Sequence, residues 1–324
     1  MTIELQAQPA PESSEAATFS PPPITQLSNV AYLVGAPIAH SSSPKLHDSI
    51  SSSSGIPYAQ ILAETKDLES FMAYLRSHPI TSRLLGSGVT MPHKVSVLPY
   101  LDYLTPDAEI VGAVNTIFFR HSDTGAREMW GTNTDVIGIR DAFLSNLDEK
   151  AIGITRDKPG LIVGGGGTCR AAIYALERYL GCSKIYIINR DRKEVETVIR
   201  DTKTNLEIRH ITSISEVEGA EGPGLVISAI PDFEPSTPSE TMVRDILEFF
   251  LSRQPVDERG AVLEMCYHPS PETRITKLAE GYGWKVIGGL EAMVGQGLEQ
   301  AKLWAGVEVT RELRAAAKAA VMPG

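Results

Sequence analysis

The residues whose types suit chemistry fall in turns rather than in the apolar runs. Gly164-Gly165-Gly166-Gly167 follows directly on the apolar run Leu161 to Val163, and Asn189-Arg190-Asp191 closes the next such run, Ile185 to Ile188. Glycines in that place let backbone amides approach a pyrophosphate at a helix N-terminus, and a residue at the end of the second run meets the adenosine ribose. Asp191 suits the free 2′-hydroxyl of NAD, whereas Arg190, Arg192 and Lys193 suit the 2′-phosphate of NADP. The balance leans to NAD, because Asp191 repels a phosphate. The same charges also fit an ordinary solvated helix start.

Four more polar turns precede the glycines. Ser41 and Ser43 stand two apart after an apolar run, where their hydroxyls suit either helix capping or one small polar ligand. Thr90-Met91-Pro92-His93-Lys94 breaks a strand pattern at its proline and leaves Lys94 at the mouth of a turn. Most lysines are simply solvated surface groups. Asn115-Thr116 and Asn133-Thr134-Asp135 are polar, glycine-flanked interruptions, and Asn and Asp are frequent turn formers.

These turns need a frame. Strand, glycine turn, helix (Arg170 to Leu180) and strand within some thirty residues is the βαβ dinucleotide unit, although Cys169 stands at the third fingerprint position in place of Gly or Ala. Before it, strands are expected over 31–35, 58–63, up to Thr90 and over 111–117, with a helix over 67–77. After it, strands are expected over 224–231, 261–267 and 286–289, then a long helix containing Met293, Gln296 and Trp304. The pattern predicts an α/β protein of two domains, with ligands beyond the carboxyl ends of the strands. The expected boundaries are a disordered Pro/Ser/Ala/Glu-rich tail over 1–28, a first domain over 29–143, a Rossmann-type dinucleotide domain over 144–287, and C-terminal helices over 288–324.

Composition sets bounds. The 324 residues are 42% hydrophobic and 22% charged, ordinary for a globular chain. A net charge of −10 gives no reason to expect nucleic acid or an anionic membrane as partner. Three scattered cysteines show neither disulfide framework nor metal spacing, so no metal is expected. No apolar run approaches the roughly 18 residues of a membrane span, and the N-terminal stretch lacks the marks of a secretory or transit peptide. These features predict a cytoplasmic protein.

In order, PIAHSSSPKLH (37–47), VTMPHK (89–94), GAVNT (112–116), NTDVIGI (133–139), GGGGTCRA (164–171), NRD (189–191), YHPSPET (267–273) and MVGQG (293–297) resemble the shikimate dehydrogenase family, including its quinate dehydrogenases. The match spans residues 31 to 306. It implies an NAD- or NADP-dependent oxidoreductase interconverting shikimate or quinate with its 3-dehydro form. It further implies that Lys94 and Asp135 are the catalytic pair, that Ser41 and Ser43 bind the substrate carboxylate, and that Thr90, Asn115 and Gln296 hold ring hydroxyls. Tyr267 would lie near carboxylate and nicotinamide. Gly164, Gly166, Gly167, Asn189, Arg190 and Asp191 would bind the cofactor. By the same resemblance the first domain binds substrate, the second binds cofactor, and the terminal helices pack back on the first.

Hydride loss from a secondary alcohol leaves a proton that a positioned amine can take, or an alkoxide that a lysinium can stabilise. Which of Lys94 and Asp135 shuttles the proton stays open. The chain departs from the family at Gly88, where many members have Asn, and at Ser228-Ala229-Ile230-Pro231, which replaces a common Asn-Ala-Thr run. Asp191 stands where NADP-using members show Thr. Two further readings are a metabolite sensor that binds without turnover and a dehydrogenase of another small polyhydroxy acid. Keeping both Lys94 and Asp135 argues against the sensor.

Overall fold

The structure, a computed structural model, describes residues 29–77 and 83–322. The tail expected to be disordered, residues 1–28, lies outside the described residues. Two compact units divide the chain. One comprises the described residues up to Glu109, Ala113–Thr134 and Gly297 onward; the other comprises Ile110–Gly112 and Asp135–Gln296.

The first unit carries β1 (Val30–Gly35), α1 (Ser43–Ser54), β2 (Ala59–Glu64), α2 (Leu68–Ser77), β3 (Leu84–Val89), β4 (Tyr103–Leu104), most of α3 (Pro106–Val111), β5 (Thr116–His121) and β6 (Arg127–Thr132). Its sheet has the order β2-β1-β3-β5-β6-β4. The first three strands are parallel and β5 runs antiparallel to β3. Strand alternation sends Val30, Tyr32 and Val34 to one face, where they bury Phe71, Met72 and Leu75 of α2. The opposite face is thinned by glycines. A Cβ on Gly86, whose φ is +158°, would lie 2.2 Å from the Ile117 carbonyl and 2.6 Å from the Trp304 indole nitrogen, so this face admits Trp304 by having no side chain there.

The second unit carries α4 (Asp135–Asn146), α5 (Glu149–Thr155), β7 (Gly160–Val163), α6 (Gly167–Arg178), β8 (Lys184–Ile188), α7 (Arg192–Asp201), β9 (Glu207–Ile211), β10 (Leu225–Ser228), α8 (Pro238–Arg253), β11 (Ala261–Glu264), α9 (Arg274–Gly281) and β12 (Lys285–Gly288). The order β12-β11-β10-β7-β8-β9 is parallel throughout, the doubly wound dinucleotide arrangement with its switch point between β7 and β10. The four central strands, β7, β8, β10 and β11, are buried on both faces, which is why they read as nearly unbroken apolar runs. α10 (Gly289–Ala305) begins in this unit and ends in the first, and α11 (Arg311–Val321) packs on α1.

Three expectations need correcting. The strand expected over 111–117 starts only at Thr116: Val111 closes α3, Gly112 takes φ +66°, and the Val114 and Asn115 amides bond out to Lys94 and Thr132. The helix expected from Arg170 starts at Gly167, because Gly166 supplies the extended N-cap conformation. β11 stops at Glu264 rather than Tyr267, since the Glu264 carboxyl accepts the Cys266 N–H and draws the chain out of the sheet. Among the described residues no helix is long and apolar enough to cross a membrane.

Candidate active site

In the first unit Ser41 and Ser43 follow β1, Thr90 and Lys94 follow β3, and Asn115 immediately precedes β5. Ser43 opens α1 and donates its N–H to the Ser41 Oγ at 3.3 Å, a bond in which the Ser41 hydroxyl accepts and keeps its own hydrogen for donation. Gly35 ends β1 with no Cβ, and one there would lie 2.4 Å from the Thr90 methyl, so Thr90 leans across the strand end. Lys94 sits half-buried in the turn after β3, and its carbonyl accepts the Val114 N–H at 2.7 Å. That bond ties the lysine's turn to the segment carrying Asn115.

Asn115 is buried and its orientation is fixed from several directions. Its Oδ1 accepts the Thr134 N–H at 2.7 Å and the Thr116 hydroxyl at 2.8 Å, while its Nδ2 donates to the Thr134 Oγ1 at 3.0 Å. Behind it Gln300 Nε2 donates to Thr116 Oγ1 at 3.0 Å, and Gln300 Oε1 accepts from His47 Nε2 at 3.1 Å. His47 Nδ1 then accepts the Tyr58 hydroxyl at 2.9 Å. His47 is fully buried, and the loss of hydration pulls its pKa down to about 4, so it works as a neutral imidazole that sets Gln300. Sequence reading missed His47, Gln300 and Thr134. Their only signal was polarity at core-facing positions, visible once the partners are known.

In the second unit Asp135 is the first residue of α4 and is buried at that helix start, a favourable place for a carboxylate. One turn on, Gly138 brings α4 hard against α10. A Cβ there would lie 2.3 Å from the Ala292 carbonyl oxygen and 3.2 Å from the Gln296 Cβ. The contact sets Gln296 beside the helix that begins with Asp135. Tyr267 is half-buried in the segment after β11. That segment is fastened by Glu264, which accepts the Cys266 N–H at 2.9 Å and the Thr273 hydroxyl at 3.2 Å and lies in register beside Ser228. Burial pushes the Glu264 pKa up to about 7 against those donors.

The glycine turn fits a dinucleotide. Gly164 takes φ +126° and lies against the Ala229 carbonyl, and Gly166 is the exposed N-cap of the twelve-residue α6 with no side-chain cap. An uncapped helix start with glycine backbone is open to a phosphate. Gly165 makes room for the ribose end: a Cβ there would lie 2.4 Å from Asn189 Nδ2 and 2.7 Å from the Glu194 carboxylate. Asn189 donates to Glu194 at 2.6 Å. Asp191 is the N-cap of α7, its Oδ1 accepting the Lys193 and Glu194 amides at 2.9 and 3.2 Å. Cys169 is fully buried in α6, where its small side chain serves the close helix–sheet contact that the fingerprint otherwise assigns to Gly or Ala. Arg190 pairs with Glu240, and Arg192 pairs with Glu196 at 2.9 Å.

Residues 33–117 match the family model described as the shikimate dehydrogenase substrate binding domain. Over 303 residues the chain is 43% identical to a quinate dehydrogenase of Emericella nidulans, spanning 89% of this chain and 91% of that protein. It belongs to the shikimate/quinate dehydrogenase family. The dehydroquinate dehydratase and shikimate dehydrogenase from S. pombe AroM is 33% identical with a TM-score of 0.72, covering 91% of this chain and 53% of that one. The shikimate 5-dehydrogenase from Thermus thermophilus, solved in complex with NADP(H) and shikimate, is 26% identical with a TM-score of 0.67, covering 90% of this chain and all of that one. As a family member the chain has the α/β substrate-binding and Rossmann-type domains expected of it, and it is an oxidoreductase of this class.

Proposed function

We propose that this enzyme oxidises quinate to its 3-dehydro form with NAD, with shikimate as the second substrate to test. The observation that carries the reading is the kinship to a quinate dehydrogenase along nearly the whole of both chains. The lean to NAD is supported by the carboxylates at the end of β8, since Asp191 and Glu194 both disfavour a 2′-phosphate. We place the enzyme in the cytoplasm on its three free cysteines, two of them buried.

The bound nicotinamide would supply the hydride acceptor. The chain does the rest. Ser41, whose oxygen is held by the Ser43 N–H, and Ser43, at the start of a twelve-residue helix, hold the substrate carboxylate. Thr90, Asn115 and Gln296 hold the ring hydroxyls. Asn115 presents a fixed amide because Thr134 and Thr116 bond to it and Gln300 in turn holds Thr116. Lys94 takes the alcohol proton or stabilises the forming alkoxide, and Asp135 is the second member of the catalytic pair. Tyr267, on the segment fastened by Glu264, is the remaining substrate-binding residue. The cofactor contacts fall to Gly164, Gly166, Gly167, Asn189 and Asp191.

The test is initial rate with quinate and with shikimate, each with NAD and with NADP. Turnover with quinate and NAD is the expected result. Folded protein that binds nucleotide yet turns over none of the four combinations would overturn the reading.

A further inference from the structure

Two arginines stand where a 2′-phosphate would be held, yet neither guanidinium stands alone. Arg192 pairs with Glu196 one helical turn on, an exposed pair of the ordinary surface kind. Arg190 is different. Its half-exposed side chain pairs with Glu240, whose own side chain is only 10% exposed and is held in place independently. Glu240 is the third residue of α8 in a complete capping box. Its Oε2 accepts the Ser236 N–H at 2.9 Å, the Ser236 hydroxyl at 3.0 Å and the Thr237 N–H at 3.1 Å, while its own N–H reaches Thr237 Oγ1 at 3.3 Å. These donors hold its carboxyl well down, at about 2, so it stays ionised. One oxygen serves the helix cap and the other serves Arg190. The carboxylate cannot swing away without uncapping α8, so it acts as a fixed anchor for the arginine.

The charge balance follows from that anchor. Arg190, Arg192 and Lys193 face Asp191, Glu194, Glu196 and Glu240, three cations against four anions, and the excess anion is Glu240. Without it the set is neutral and Arg190 is available to an incoming phosphate. We propose that Glu240 sets cofactor choice by sequestering Arg190, so that the ribose end accepts a free 2′-hydroxyl and rejects a 2′-phosphate. Glu240 acts through Arg190, so it is a positioning residue. The inference rests on the reading that a nicotinamide dinucleotide binds at the glycine turn.

Glu240→Gln in the full chain is the test. Glutamine keeps a carbonyl oxygen for the Ser236 and Thr237 amides but turns an NH₂ toward Arg190, which cannot accept from it. Two readouts are taken: kcat/KM with NAD and with NADP, and calorimetric affinity for AMP and for adenosine 2′,5′-bisphosphate, which needs no turnover. The variant should gain about tenfold with NADP and with the bisphosphate, the order of one charge-assisted hydrogen bond, while NAD and AMP stay within about twofold. Adding Arg190→Gln should erase the gain. An unchanged NADP-to-NAD ratio in folded E240Q, or a gain that survives without Arg190, overturns the proposal. Should E240Q fail to fold, Glu240→Asp keeps the charge at the helix start but is one methylene shorter, and it should move the ratio the same way; no movement counts against the proposal. A wild type that binds neither NAD nor AMP overturns both this inference and the functional reading, whereas a wild type that binds NAD with an unmoved variant sinks the inference alone.

Discussion

His47 under the first sheet and Glu264 at the end of the second unit's β11 are both buried ionisable groups, and burial drives them in opposite directions. Loss of hydration penalises the charged form in each case: imidazolium for His47, carboxylate for Glu264. Every partner of His47 is content with a neutral ring, since Tyr58 donates to one nitrogen and Gln300 accepts from the other. Glu264 instead has donors on it, the Cys266 amide and the Thr273 hydroxyl, which favour the anion and only partly offset the burial. The two units are therefore opposite in their linkage to pH. The lesson is that burial alone does not fix the pH response; the charge type of the buried group does.

The comparison breaks most sharply on activity. Lys94→Ala should cut turnover on the order of 10³-fold while the second unit keeps its nucleotide affinity, checked by steady-state rates beside a nucleotide titration. Loss of both together would show that the substitution damages the fold rather than the chemistry alone.

The pH responses come next. His47 has a folded pKa of about 4 against 6.5, so the unfolded chain binds the extra proton in that window. The first unit's stability should be whole above 6.5 and fall by roughly 3 kcal/mol as pH drops toward 4. Glu264 has a folded pKa of about 7 against 4.5, so here the folded chain holds the extra proton. The second unit's stability should be whole below 4.5 and fall by roughly 3 kcal/mol as pH rises through 7. Hydrogen exchange of β1 and β3 against β7 and β10 across pH 4 to 8 measures the two slopes separately. Glu264→Gln should flatten only the second, and a change in the first would mean the units are not independent.

Smaller effects sharpen the picture within the second unit. Gly165→Ala must push against the Asn189 amide and the Glu194 carboxylate, and NAD affinity should weaken about tenfold, seen by calorimetry. Thr237→Ala removes the other half of the α8 capping box and should cost about 1 kcal/mol in denaturant unfolding, with the first sheet's exchange unchanged.

The chain's own order of apolar runs and turns announces the βαβ unit, and Asp191 at its end bears on cofactor choice. That legibility has a local cause: a glycine turn needs its glycines in succession, and a parallel strand buried on both faces needs an unbroken apolar run. Asn115-Thr116 is readable as a polar interruption, but the pattern puts both residues inside a strand, whereas Asn115 precedes β5 and Thr116 opens it. The error is physical: the amides of Val114 and Asn115 are claimed by Lys94 and Thr132, residues 20 and 17 positions away, and no local propensity encodes such bonds. The same holds for Gln300 beneath Thr116, His47 behind Gln300, and Glu240 upon Arg190. The sequence by itself determined which elements form and which turn residues have chemistry to offer. Only the tertiary structure decided which charges cancel and which amides are held, because pairing depends on distances between residues far apart in the chain.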